Sequence, residues 1–321
     1  MKNVLKYLFS LVLFSALLAS CTKEVFIDIP EGEQKLVVEG FIITNSPPVI
    51  FLSKSQSFND PIDPEGLANT FVSGASVEVH VEGDTYELEE LCVSTLSPTE
   101  LELAAELLGL SVEEIQAIDL CVYTSLDFFG EEGKTYDLTI NAEGESISSR
   151  TKIDYAVPLD SLWFEIWGDT DSLGFIWGIL TDPDTAGNNY RWYSQRINAY
   201  PNEPGVPKDS RYIPPSNSVS EDSFFDGLQF EFGYNRGQEF NSNKVDDNND
   251  ESFFFKVGDT IAVRPVSIRF DAYRFYRGLE EQVTTNGSPF SLPENIESNI
   301  EGGLGIWAGF GPTYDTIICT P

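Results

Sequence analysis

Residues 74–91, GASVEVHVEGDTYELEEL, decide the fold class of this chain. Valine occupies positions 77, 79 and 81, and polar residues occupy the positions between them. Alternation with a period of two places the valines on one face of a β-strand and the polar side chains on the other. Gly83 and Asp84 then supply a tight turn before a second strand. The stretch therefore predicts a β-hairpin in a half-buried antiparallel sheet.

Similar stretches lie on both sides of this hairpin. Residues 35–58 have the pattern of two strands joined by a turn, and further strands are expected at 120–126, 135–140 and 146–153. Seven or so short strands with regular turns are typical of an immunoglobulin-like sandwich. We therefore predict such a sandwich over residues 34–154.

A helical segment interrupts the strands of this sandwich. Residues 97–100, SPTE, and residues 111–114, SVEE, have the form of two capping boxes, each of which opens an apolar run at helical spacing. The pattern predicts a helical hairpin inserted over residues 97–119.

The second half, residues 155–321, is richer in aromatic residues. Strand-like runs lie at 161–167, 174–181, 190–200, 228–234, 259–267 and 303–310. One helix is expected from Ile268 to Val283. Residues 201–223 contain five prolines and no apolar periodicity, which predicts a long surface loop. The whole chain is therefore expected to be mainly β, with a second β-sandwich or barrel-like domain that carries one helix.

The first 21 residues, MKNVLKYLFSLVLFSALLASC, have the layout of a secretory signal, in which two lysines precede an apolar run from Leu8 to Ala19. The last four of these residues have the form of a lipobox, which places a thiol where diacylglyceryl transfer needs a nucleophile. We expect residues 1–20 to be a signal peptide, Cys21 to be lipidated and residues 21–33 to form a lipid-anchored, acidic tether. The alternative is an ordinary cleavage site that happens to carry a cysteine.

The chain is strongly acidic, with 52 aspartates and glutamates against 19 lysines and arginines and a formal net charge of −33 at pH 7. Electrostatic repulsion excludes nucleic acid as a partner. The same charge repels anionic headgroups, so we expect the body of the protein to stand off the membrane that its lipid enters.

Three cysteines follow Cys21. An exported protein meets an oxidising compartment, and Cys92 and Cys121 bracket the inserted helices, whose ends must return to neighbouring strands. We predict a disulfide between these two. Cys319 either stays free in the core or competes for one of them.

Aromatic side chains suggest where a ligand would bind. Tyr190, Trp192 and Tyr200 share a face of one predicted strand, and rings beside polar groups suit the binding of a glycan or a peptide. Core packing explains the same rings equally well. Arg211 and Tyr212, in the proline-rich loop, are the first candidates for a partner contact.

A weak calcium candidate lies in a second polar loop. Asp246, Asn248 and Asp250 have the alternating oxygen ligands of a calcium loop. Glu251, however, stands where the sharp turn requires glycine, and Val257 stands where the bidentate acid belongs. A solvated acidic loop is the alternative interpretation, and no other cofactor is indicated.

No catalytic residue can be assigned from the sequence. The single histidine, His80, lies on the polar face of a predicted strand without a nucleophile elbow or zinc-ligand spacing beside it. A glycosidase needs two carboxylates in one cleft, and the sequence alone does not reveal such a pair. We therefore expect a protein that is not an enzyme.

Several phrases together resemble a family of Bacteroidetes lipoproteins known chiefly as a domain of unknown function and commonly encoded beside TonB-dependent outer-membrane receptors. The phrases are CTKEV, KLVVEGFI, SGASVEV, GKTYDLTI, ILTDPDTAGNNYRWY, FFDG, KVGDTIAVRPVSI and ENIESNIEGGLGIWAGF. The resemblance implies an outer-membrane lipoprotein that faces the cell exterior and works with such a receptor in nutrient uptake. It carries over no catalytic residue, and the inserted helices look like a departure from the family pattern.

Three functions are open at this point. The leading hypothesis is a non-enzymatic accessory or binding partner of a TonB-dependent transporter. The second is an adhesion protein or a structural lipoprotein of the cell envelope. The third and weakest is a glycan hydrolase.

Overall fold

The structure is a computed structural model that describes residues 33–56, 70–108, 112, 116, 121–201, 204–237, 251, 253–285 and 295–321. The predicted signal peptide, Cys21 and the candidate calcium ligands Asp246, Asn248 and Asp250 lie outside the described residues, as does the tether as far as residue 32. Residues 34–321 form one compact unit.

The described chain is mainly β, as the alternating patterns predict. Its strands are β1 (Leu36–Ile43), β2 (Val49–Lys54), β3 (Ser76–Val81), β4 (Asp84–Cys92), β5 (Cys121–Thr124), β6 (Thr135–Ala142), β7 (Glu145–Lys152), β8 (Ser161–Ile166), β9 (Leu173–Thr181), β10 (Asn189–Arg196), β11 (Val219–Glu221), β12 (Gln229–Tyr234), β13 (Phe255–Lys256), β14 (Thr260–Ile268), β15 (Leu304–Pro312) and β16 (Asp315–Ile318). Its helices are α1 (Pro98–Leu108) and α2 (Phe270–Thr285). None of the helices in the described part of the chain is long and apolar enough to cross a bilayer.

The strands form two sheets. The larger sheet follows the order β11-β10-β14-β15-β1-β2-β5-β4-β3-β6-β7, and β16 pairs with β14. The smaller sheet follows the order β12-β9-β13, and β8 pairs with β9. The hairpin of residues 74–91 is present as β3 and β4, with Val81 opposite Asp84 at the turn and Val77 and Val79 fully buried.

The parallel pairing of β1 with β15 joins the two halves of the chain. It runs in register from Val37 opposite Leu304 to Ile43 opposite Phe310. The predicted division into two domains after residue 154 stays a prediction, but strands from both sides of that position are hydrogen-bonded in one sheet. The two halves therefore share a continuous surface.

The first half is a sandwich that β15 completes. Trp307 is fully buried among the side chains of β1, β3 and β6, and its indole Nε1 donates a hydrogen bond to the carbonyl oxygen of Tyr136, at 3.1 Å. The amide of Gly309 donates to Thr151 Oγ1, at 2.9 Å. The strands at one end of the sheet order, β6 and β7, thus fold back over β15.

The second half packs the smaller sheet against one face of β10 and β14. Tyr190 and Trp192 meet Phe232 in this core, and Ile261 and Val263 meet Ile176. On the opposite face of the same strands, α2 packs through Ala272 and Tyr273. The large sheet is therefore covered on both faces here, with a different partner on each.

A disulfide closes the inserted segment. Cys92 in β4 lies directly opposite Cys121 in β5, and the structure joins them with 4.0 Å between their Cα atoms. Their sequence separation is 29 residues, and cross-linking a loop of that length contributes about 3–4 kcal/mol through the entropy of the unfolded chain. Cys319 is free and buried, and burial raises the pKa of its thiol to about 12.

The helices agree with the capping and periodicity signals in large part. Helix α2 covers the segment predicted from Ile268 to Val283, starting two residues later and ending two residues later. Helix α1 is the first of the two inserted helices, while of the second only residues 112 and 116 are described, and both are helical. The proline-rich loop at 201–223 ends in the short strand β11, which the sequence did not indicate.

The contact between Gly40 and Trp307 yields a test of the β1–β15 pairing. A Cβ at position 40 would lie 2.8 Å from Trp307 Cε3 and 3.2 Å from Ile50 Cγ1, so Gly40→Ala overpacks the core. We expect it to lower the free energy of unfolding by about 1–3 kcal/mol, measured by urea denaturation.

Gly278→Ala in α2 is the matched control. The nearest atom to its added Cβ would be the Cα of Ile296, at 3.7 Å, and alanine is the better helix former. We expect this variant to gain about 0.5–1 kcal/mol. Equal stability of Gly40→Ala and the wild type would contradict the close packing of β1 on β15.

Candidate ligand-binding site

A cavity of about 570 Å³ lies on the face of the large sheet that carries α2. Its floor comes from side chains of β1, β10, β14 and β15, and Tyr276 and Leu279 of α2 form one side. Ala105 of α1 and residues 210–212 and 214 of the proline-rich loop complete the lining. The volume is that of a pocket for a small organic ligand.

Arginines and tyrosines alternate along this cavity, and we call this set the Arg–Tyr stack. Arg191 lies over the ring of Tyr276 at 3.6 Å and over that of Tyr193 at 4.9 Å. Arg264 lies over the ring of Tyr193 at 4.3 Å and over that of Tyr212 at 4.5 Å. Each guanidinium thus contacts the π faces of two rings, an arrangement that stabilises a cation away from bulk water.

Strand register places the members of the Arg–Tyr stack side by side. Tyr193 in β10 lies directly opposite Arg264 in β14, and Arg191 lies opposite Val266. Because side chains two residues apart in a strand share a face, Arg191 and Tyr193 both enter the cavity. The third ring, Tyr276, comes from α2.

The charge on Arg191 is partly compensated. Its Nε donates to Ser218 Oγ at 3.2 Å, and Ser218 is in turn held by Glu280. Glu39, from β1, lies on the same wall. Removal from bulk water raises the pKa of the Glu39 carboxyl, and the positive charge of Arg191 opposes that rise.

Arg264 differs from Arg191 in this respect. Its Nε is buried without a hydrogen-bond partner. Among the residues that the structure describes, neither arginine has a carboxylate within 4.0 Å of its guanidinium, but Arg191 Nε has the hydroxyl of Ser218 as an acceptor and Arg264 Nε has none. Burial raises the pKa of Tyr212 and of Tyr276, so both rings remain neutral phenols at physiological pH. Arg264 therefore presents a positive charge that its neighbours do not neutralise.

A buried ion pair anchors the loop that brings Arg211 and Tyr212 to the cavity. Arg196 and Asp209 are 3% and 6% exposed, and Arg196 Nη2 donates to Asp209 Oδ1 at 2.7 Å. The backbone amide of Arg196 also donates to Asp209 Oδ2, at 2.8 Å. Glu251 adds a second carboxylate at 3.3 Å from Arg196 Nη1. The loop is thus fixed at Asp209, one residue before its first lining residue, Ser210.

The predicted contact residues divide between the core and the cavity. Tyr190 and Trp192 are 1% and 5% exposed and pack against the smaller sheet, so a ligand does not reach them. Tyr200 is half-buried, with Lys208 Nζ 4.9 Å from its ring centroid. Arg211 and Tyr212 do line the cavity.

Arg191 and Tyr193, which face the cavity from β10, were not among the predicted contact residues. Arg191 and Tyr193 alternate with Tyr190 and Trp192, and both sets contain rings, so composition alone did not distinguish the cavity face from the core face. Glu39 was a usable signal, because it is a lone acid within an apolar strand.

His80 and the acidic clusters contribute nothing to this cavity. His80 Nδ1 shares a hydrogen bond with Thr85 Oγ1 at 2.7 Å on the outer face of β3. The carboxylates of Asp182, Asp222 and Asp226 come within 4.8 Å of one another. However, Asp182 accepts a hydrogen bond from the hydroxyl of Tyr190, and Asp222 accepts hydrogen bonds from two backbone amides in the turn before β10. Both carboxylates therefore have structural roles.

Comparison with known proteins identifies the family. A family model described as a domain of unknown function, DUF4249, matches residues 22–314. The chain belongs to the DUF4249 family. The DUF4249 match spans both halves of the large sheet and hence every strand that lines the cavity.

Other comparisons add little to the DUF4249 assignment. No curated protein matches the chain. Among solved structures, it is similar to a cycloalternan-degrading enzyme from Trueperella pyogenes in complex with cycloalternan, at 9% identity and a TM-score of 0.20. That match covers 86% of this chain and 34% of the enzyme, and a likeness this weak carries no argument.

The buried ion pair predicts a large loss of stability on neutralisation. Asp209→Asn leaves Arg196 with only the more distant Glu251, and we expect the free energy of unfolding to fall by about 3 kcal/mol. The matched control is Asp137→Asn, which breaks a pair with Arg150, whose side chain is 73% exposed. Urea denaturation should show a loss below about 1 kcal/mol for the control. Equal losses in the two variants would contradict the anchoring role of Asp209.

Glu39 predicts a pH-dependent effect. Because its pKa in the folded protein is raised above the usual value of 4.5, the folded state holds this proton more tightly than the unfolded chain, and ionisation costs stability as the pH rises. Glu39→Gln should therefore stabilise the protein at pH 7, and the gain should shrink as the pH falls through the raised pKa toward 4.5 and be nearly absent below 4.5. Thermal denaturation across this range measures the effect. Glu145→Gln removes the same charge from an exposed strand end and should show no such pH-dependent gain.

Proposed function

We propose that this protein is a non-enzymatic binding protein, lipid-anchored in the outer membrane, that captures a ligand for a TonB-dependent receptor. The observation that carries the proposal is the cavity with its Arg–Tyr stack. Its rings offer apolar area for an organic molecule, and its guanidinium groups offer directional hydrogen-bond donors. These are the groups of a recognition site.

The composition of the cavity favours binding over hydrolysis. A glycosidase needs two carboxylates on either side of the scissile bond. Among the described residues that line the cavity, Glu39 is the only acid, and there is neither a histidine nor a cysteine. Besides Glu39, the described lining consists of arginines, tyrosines, Gln195, Ser210 and apolar side chains, a set that can orient a ligand but lacks the carboxylate pair of a glycosidase.

Two features of the sequence support the proposed lipid anchor and the proposed receptor partner. Residues 1–21 have the layout of a signal peptide that ends in a lipobox, so Cys21 would tether the protein to a membrane. The family resemblance described above suggests the TonB-dependent receptor and a position at the cell exterior. A binding protein held beside a receptor raises the local concentration of ligand at its entrance.

The proposal is tested by purifying the tagged full-length chain from native membranes in mild detergent and identifying its companions by mass spectrometry. We expect a TonB-dependent receptor in near-stoichiometric amount. Cys21→Ala, which removes the acylated thiol, should shift the protein out of the membrane fraction. Recovery of the lipoprotein without a receptor, but bound to another cell or to envelope material, would favour adhesion or envelope structure instead.

A further inference from the structure

We infer that the cavity binds a small organic monocarboxylate, whose carboxylate pairs with Arg264 and whose body lies against the ring-lined wall. The inference rests on the proposed binding function and names the class of its ligand. It depends on the charge state of the Arg–Tyr stack, taken together with the size and lining of the cavity.

Arg264 lacks the partner that other arginines of this chain have. Arg150, Arg196, Arg274 and Arg277 each contact a carboxylate within the described residues. The chain offers 52 acidic residues for this purpose. A partly buried cation without an acid is costly, and ring contacts alone offset that cost only in part. The arrangement is therefore completed by an anion from outside the chain.

The geometry of Arg264 suits a carboxylate. Its contacts with Tyr193 and Tyr212 use the π faces of the rings, and its buried Nε has no hydrogen-bond acceptor in the described chain. A guanidinium presents a planar fork of donors, which matches the two oxygens of a carboxylate in a bidentate pair.

The surroundings of Arg191 favour a ligand with a single negative charge. Arg191 already has Ser218 as a hydrogen-bond partner and Glu39 on the same wall. The Glu39 carboxylate would repel a phosphate dianion more strongly than a carboxylate. Phe41, Val266 and Phe310 contribute apolar lining to the same cavity, which favours a ligand with an apolar or aromatic body.

The first measurement compares matched ligands on the wild-type protein. Hydrocinnamate and hexanoate are titrated against their neutral amides, hydrocinnamamide and hexanamide, and against phenyl phosphate, with binding followed by calorimetry and by ligand-detected NMR. We expect each carboxylate to bind roughly 10- to 100-fold more tightly than its amide, the range of a charge-assisted hydrogen bond. We expect phenyl phosphate to bind more weakly than hydrocinnamate.

The second measurement assigns the preference to Arg264. Arg264→Gln should reduce the affinity for the carboxylates to that for the amides and leave the affinity for the amides unchanged. Arg264→Lys keeps the charge but loses the fork, and it should retain part of the preference, which also covers the case in which the glutamine variant fails to fold. Arg150→Gln, on the exposed face of β7, is the control and should bind like the wild type.

The outcomes separate this inference from the proposed function. Amides that bind as tightly as the carboxylates, or a carboxylate preference that survives in Arg264→Gln, would overturn the inference while leaving a binding protein in place. Tighter binding of phenyl phosphate would replace the monocarboxylate with a phosphate ligand. If neither carboxylate binds with a Kd below about 10 mM, the inference is overturned. If the lipoprotein is then also purified without a receptor, the proposed function is overturned as well.

Discussion

The parallel pairing of β1 with β15 is the constraint on which the rest of the structure depends. The two strands come from opposite ends of the folded unit, so nearly the whole chain serves as the crossover between them. The pairing buries Trp307 in the core of the first half and places Phe310 beside Phe41 on the opposite face. Both the sandwich and the cavity floor need this pair of strands. Gly40 permits it, because a side chain there would occupy the space of the Trp307 ring.

The two faces of the large sheet have different roles because of the alternation of side chains along its strands. Side chains alternate along a strand, so each strand of this part of the large sheet supplies one set of residues to a core and another to the helix side. In β10 the first set includes Tyr190 and Trp192, and the second includes Arg191 and Tyr193. The apolar set is packed by the smaller sheet, and the other set is left partly uncovered in a gap between α2 and residues 210–212 of the proline-rich loop. The cavity is this gap.

Local patterns in the sequence predict local structure well and distant pairing poorly. The hairpin at 74–91 and the span of α2 follow from alternation and helical periodicity, which depend on neighbouring residues. The pairing of β1 with β15 and the short strand β11 depend on contacts made far along the chain, and no local pattern carries that information. The cavity residues likewise divide into those that a local pattern predicts and those that only the pairing of distant strands brings together. Arg211 and Tyr212 could be predicted as contact residues because they lie in a long, proline-rich loop. Arg264 could not, because its place in the site depends on its pairing with the cross-strand neighbour Tyr193.

The Arg–Tyr stack also places two arginines close together, which is unfavourable for the stability of the fold. Arg191 and Arg264 both contact the ring of Tyr193, so two like charges share one neutral partner in a region where water is partly excluded. An aspartate or glutamate beside Arg264 would balance its charge, and the chain has 52 acidic residues. The described structure nevertheless places none of them there. Departures of this kind from local consistency are concentrated at functional sites, where the missing interaction is made by a ligand. The unbalanced charge is therefore best understood as half of a recognition pair.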